Sequence, residues 1–142
     1  MKLDINDIYR QYLHMTYRQK KMEAFNSISK MNRFLKEYGV EENDRVAFFL
    51  NLTRLFVKAD DKASLQECTF FNDVFNTSLS YADFVKMTSG GDEKEFVSSM
   101  NKIIDMMDEE AKVGACSYGL LLLSIDQNLT DKEKEVFEYI LA

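Results

Sequence analysis

The sequence predicts an all-α helical bundle of about six to eight helices, and three observations carry that expectation. The 142 residues contain no proline, so no helix loses an amide donor or meets a pyrrolidine ring in its interior. Apolar residues recur three and four positions apart nearly throughout, the period of a helix with one buried face. The strict alternation of a half-buried strand is absent.

Taken in order, Ile5, Ile8, Tyr9, Tyr12 and Leu13 mark a first stripe. Met22, Phe25, Ile28, Ser29 and the run Met31–Phe34 continue it to Tyr38-Gly39, a plausible stop because glycine readily takes the left-handed turn that ends a helix. A long helix follows from Asn43 or Asp44 to Lys58, with Val46, Phe49, Leu50, Leu52, Leu55, Phe56 and Val57 inward. Residues 64–75 form another and residues 80–87 a short one, before Thr88-Ser89-Gly90-Gly91, the clearest loop signal in the chain. Residues 92–108 place Phe96, Met100, Ile103, Ile104 and Met107 on one face. Residues 109–125 turn almost wholly apolar after Val113, as a central helix surrounded by others would. Residues 130–141 close the bundle. The eight methionines, falling at helical spacing, are read as core filler.

Composition narrows the function. A single histidine, His14, and five glycines leave little material for histidine-based zinc sites or glycine-rich phosphate loops. His14 lies among Tyr12, Leu13 and Met15 and is expected to be a partly buried structural residue. Two cysteines do not make a disulfide scaffold; Cys68 and Cys116 are expected as buried, inert thiols in a cytoplasmic protein. Met1–Arg10 lacks the apolar run of a signal peptide. The most apolar stretch, 113–125, is too short for a membrane span and is interrupted by Ser117 and Ser124.

Charge is unevenly placed. Residues 1–36 carry eight Lys/Arg against three Asp/Glu, a net +5, and the other 106 residues carry ten against twenty-one, a net −11. A basic arm on an acidic body suits a protein partner or self-association. Nucleic acid is not expected, because the chain as a whole is acidic and no arginine–aromatic stripe accompanies the arm.

One constellation stands apart. The run from Leu55 through Asp60, Ser64 and Glu67 to Phe71 recurs 66 residues later from Leu121 through Asp126, Thr130 and Glu133 to Phe137. Each copy is an apolar helix end, an Asp, three residues, a Ser or Thr, a Glu three later and an aromatic four beyond that. Two helix–turn–helix corners of this kind, packed together, could converge Asp60, Glu67, Asp126 and Glu133. Such oxygen donors suit a hard divalent cation, calcium or magnesium. Asn128 and Asp61 are further oxygen donors nearby in sequence. A metal-free reading stands beside it: Ser64-x-x-Glu67 and Thr130-x-x-Glu133 are both capping boxes, and Asp60 and Asp126 can close Asx turns. An EF-hand is excluded, because its twelfth position would be Phe71 or Phe137 where that loop needs a bidentate Glu.

The repeated element, a helix-ending "Ala-Asp-Gly-x-Ile-Ser-x-x-Glu", resembles that of the TerB-like tellurite-resistance family. Here the copies read Ala59-Asp60-Asp61-Lys62-Ala63-Ser64-Leu65-Gln66-Glu67 and Ile125-Asp126-Gln127-Asn128-Leu129-Thr130-Asp131-Lys132-Glu133, with Asp61 and Gln127 in place of the glycine. A turn needing φ > 0 costs a non-glycine residue about 1 kcal/mol or more, so a differently shaped corner is expected. The resemblance spans about residues 41–142, with residues 1–40 as a helical extension packing on that body. It implies an intracellular, non-enzymatic, stress-linked helical module that binds a divalent cation through Asp60, Glu67, Asp126 and Glu133. The alternative is a metal-free helical protein–protein interaction module.

Overall fold

The computed structural model describes residues 4–59, 63–89, 93–125 and 131–141. Among them are eight helices and no strand: α1 (Ile5–Leu13), α2 (Tyr17–Glu37), α3 (Glu42–Ala59), α4 (Leu65–Phe75), α5 (Tyr81–Ser89), α6 (Glu93–Met106), α7 (Glu109–Ser124) and α8 (Asp131–Leu141). The expected all-α bundle is what the chain forms.

Local chemistry sets the helix ends. Asp4 caps α1 by accepting the Asp7 amide at 3.2 Å, and Asp108 caps α7 by accepting that of Ala111 at 2.8 Å. Thr16 and Gln19 close a reciprocal capping box on α2, at 3.2 and 2.8 Å. At the other end of α2, Gly39 takes φ +79°, while Val40 N–H reaches the Leu35 carbonyl and Gly39 N–H that of Lys36. That is a Schellman stop, and it needs a residue without a Cβ penalty at the left-handed position. After α4, Asn76 takes the same region at φ 53°. Asn72 holds the turn that follows, donating to the Leu79 carbonyl at 2.9 Å and accepting from Leu79 N–H at 3.0 Å and the Thr77 hydroxyl at 2.7 Å.

Helix α7 is the centre. Its contact with α2 is the most extensive in the molecule, and α1, α3, α4 and α8 also pack on it. Ala111, Gly114, Ala115, Cys116 and every residue from Tyr118 to Ser124 are buried, which explains the loss of a polar face after Val113. A Cβ at Gly114 would lie 2.8 Å from the Ser27 carbonyl of α2, so the α2–α7 contact depends on a bare backbone there. Lys20, buried on α2, donates to the Ser124 carbonyl at 3.2 Å and so places a cation at the negative end of α7. An aromatic layer ties the other helices in: Phe49 to Phe75, Phe71 to Phe75 and Phe84, and Phe75 to Tyr118.

Four details differ from the sequence reading. Helix α2 begins at Tyr17 because Thr16 caps it there, and Met22 and Phe25 face outward while Lys20, Ala24, Ser27 and Ile28 turn inward. Val46 is exposed in the first turns of α3. Thr88 and Ser89 belong to α5, with the Thr88 hydroxyl buried against the Phe84 carbonyl at 2.8 Å. His14 is exposed; its backbone caps the end of α1, which asks nothing of the imidazole. Methionine is divided likewise: Met31, Met100 and Met107 are core residues, whereas Met22, Met87 and Met106 are exposed. Among the described residues no helix is long and apolar enough to cross a membrane.

Candidate functional site

The two corners of the repeat join α3 to α4 and α7 to α8. Asp60, Asp61, Asp126, Asn128 and Thr130 lie outside the described residues. The glutamates are described. Glu67 is the third residue of α4 and Glu133 the third of α8, so the sequence repeat is also a repeat of helical register. Both are shut off from solvent, at 0% and 1% exposure.

At Glu67 the capping box is formed. Ser64 Oγ accepts the Glu67 amide at 3.0 Å, and Glu67 Oε1 accepts the Ser64 amide at 2.9 Å. The carboxylate also acts electrostatically on Tyr118 of α7. Burial pushes the Tyr118 phenol well above its usual pKa; its hydrogen bond with Thr53 works against that shift and the Glu67 charge adds to it. Thr53 and Tyr118 hydroxyls meet at 2.7 Å in the core, and the Thr53 hydroxyl also donates to the Phe49 carbonyl at 2.8 Å. A polar seam therefore runs from the start of α4 through α7 to α3.

The two units of the repeat pack crosswise, α3 on α8 and α4 on α7. Phe56, four residues before Asp60, stacks on Phe137, four after Glu133, with ring centres 5.0 Å apart and planes 20° from parallel. The preceding helix of one corner is thus joined to the following helix of the other. Among the described residues no three of His, Cys, Asp or Glu gather closely enough to hold a metal ion; two of the four expected donors are not among them.

The thiols are buried, as their apolar settings suggested. Burial pushes Cys116 up to about 12, and raises Cys68 as well, with Asn72 working against that second shift. A thiol reagent at pH 8 should therefore label neither cysteine in the native protein within minutes and both at once in denaturant. Rapid native labelling of Cys116 would contradict its burial.

Sequence reasoning passed over the burial of two cations, Lys20 and Arg54, and of Thr53. Arg54 carried a signal: it stands four residues after Leu50 and three before Val57, on the apolar stripe of α3. No protein family, curated protein or solved structure matches this chain.

Proposed function

We propose that this chain is an intracellular, non-enzymatic, TerB-like helical module that binds a divalent cation, calcium before magnesium, at its paired acidic corners, with Asp60, Glu67, Asp126 and Glu133 as the donors. The supporting observation is the complete burial of Glu67 and Glu133 at equivalent positions of α4 and α8. A capping-box glutamate needs only to reach back to the N-cap amide, which it does from an ordinary exposed first turn. Withdrawing two carboxylates from water costs several kcal/mol each unless compensating charge or hydrogen bonds are supplied. A hard cation would add oxygen-donor contacts to those these carboxylates already make, and the crosswise packing of the two units supports a shared site over two separate ones.

Thermal unfolding in excess EDTA against millimolar calcium, with magnesium as control, tests this reading. An ion present at 100 times its dissociation constant adds about 2.7 kcal/mol, a rise of roughly 5–10 °C in a domain of this size. Replacing the four acids together (Asp60→Asn, Glu67→Gln, Asp126→Asn, Glu133→Gln) should abolish the calcium-dependent rise while keeping the capping geometry. Superimposable curves with and without calcium would leave the glutamates as helix caps alone.

A metal-free interaction module is the second reading, favoured by the outer face of α2. Met22 and Phe25 are 58% and 43% exposed one turn apart on a helix whose flanking Arg18, Lys30 and Arg33 are also exposed. An apolar patch rimmed with positive charge fits an acidic protein surface.

A further inference from the structure

Arg54 is only 8% exposed. Its guanidinium carbon lies 4.0 Å from the ring centre of Phe96 on α6, a cation–π contact in a desolvated setting. Neither Nε nor Nη2 finds a hydrogen-bond acceptor among the described residues, and neither touches solvent. An arginine cannot relieve such burial by losing its proton. These two nitrogens form one edge of the guanidinium, and their N–H bonds run nearly parallel at the spacing of two carboxylate oxygens.

A recess of about 230 Å³ opens between α3 and α6, lined by Asn51, Arg54, Glu95, Phe96 and Ser99. It is smaller than the roughly 300–1,000 Å³ typical of sites for drug-sized ligands, so it suits a head group of a few atoms. Arg54 brings one full positive charge, while Asn51 and Ser99 bring neutral donors. Glu95 adds a negative charge to the wall, which disfavours a dianion such as phosphate more than a monoanion.

We propose that this recess is a carboxylate-binding site. On binding, the Arg54 side chain rotates so that its Nε/Nη2 edge, shut off from solvent in the empty protein, enters the recess and grips both oxygens of a small carboxylate, with Phe96 beside the guanidinium. The carboxylate belongs to a free organic acid or to an acidic side chain of a protein partner. The site is separate from the acidic corners and does not depend on the cation reading.

The test follows the Nε–H resonance of Arg54 in ¹H–¹⁵N spectra of the full chain. Sodium acetate, a capped Gly-Glu-Gly peptide, sodium phosphate and sodium chloride are titrated at matched ionic strength. A saturable shift with acetate or with the peptide, and none with chloride, is expected. Similar affinity for the two identifies a free acid as the ligand, whereas clearly tighter peptide binding identifies a partner's side chain. Arg54→Gln should weaken binding about tenfold to a hundredfold, the equivalent of a charge-assisted pair. Arg54→Lys, which keeps the charge and loses the fork, should fall between the two, and both variants should retain wild-type helicity. Absence of any shift with either carboxylate, an equal shift with phosphate, or binding unchanged in Arg54→Gln, followed there through the backbone amides of α3 and α6, would overturn the proposal.

Discussion

Phe56→Ala should lower the unfolding free energy by about 3–5 kcal/mol, the cost of emptying a large, wholly buried aromatic site. The ring is 0% exposed and stacked on Phe137. The ring also lies against Gly119 of α7, where an added Cβ would collide with the Phe56 Cζ. One side chain therefore sets the spacing of α3, α7 and α8. Gly119→Ala in the wild-type protein should also destabilise. Overpacking costs about 1–3 kcal/mol, offset by about 1 kcal/mol from alanine's better helix propensity. In the Phe56→Ala background the same change should become neutral or stabilising, because the space it needs has been vacated. Urea denaturation of the four proteins checks this as a double-mutant cycle. Additive effects would mean that the ring and the glycine do not share that space.

Stability should fall steeply in alkali. Burial raises the Cys116 thiol from 9.0 to about 12 and lifts the Tyr118 phenol well above 10.0. In the unfolded chain these groups lose their protons near their ordinary values, while the folded protein still holds them. Above pH 9 the unfolded state thus binds fewer protons and stability decreases with pH. The contribution is intact below the ordinary pKa and is lost as pH climbs to the folded value. For Cys116 alone this amounts to about 4 kcal/mol between pH 9 and 12, at about 1.4 kcal/mol per pKa unit. Tyr118 adds its own loss from pH 10. Lys20 acts in the opposite sense: burial lowers its pKa, so its part of the stability rises as pH passes through the folded value toward the ordinary 10.5. Lys20 thereby opposes the fall. Urea midpoints from pH 7 to 11.5 measure the effect. Cys116→Ala should flatten the curve from pH 9, and Tyr118→Phe should flatten it from pH 10. The tyrosine change should cost only about 1 kcal/mol at neutral pH, since Thr53 keeps the Phe49 carbonyl as its partner. Identical slopes in all three proteins would place the alkaline limit in other groups.

Most of the helices were readable from the chain because their signals are local, although α1 and α2 read as one continuous stripe. Ser64 and Glu67, Asp108, and the Tyr38-Gly39 stop act over three to five residues, and periodicity reports which residues share a face. Besides the end of α5 and the exposure of His14, the errors of the reading lay in phase. Met22 and Phe25 look like a core stripe beside Ile28, yet α2 turns Ala24 and Ser27 inward instead. The reason stands on another helix: Gly114 lets the Ser27 backbone come close, and a large side chain at that contact would hold α2 and α7 apart. The candidate site was legible to the same extent. The repeat singled out Glu67 and Glu133, and the capping box at Ser64 is formed, but their complete burial is not a property of spacing.

By itself the sequence determined the helical class, helix ends such as the Tyr38-Gly39 stop and the Ser64 box, the two-fold recurrence of the acidic corner and the charge contrast between its first 36 residues and the rest. These depend on backbone propensity and on contacts between near neighbours in the chain. Only the tertiary structure decided that α7 is central, that the repeat units pack crosswise through Phe56 and Phe137, and that Glu67, Glu133 and Arg54 lie away from water. Desolvation is set by what stands opposite a side chain, as Phe96 of α6 stands over Arg54.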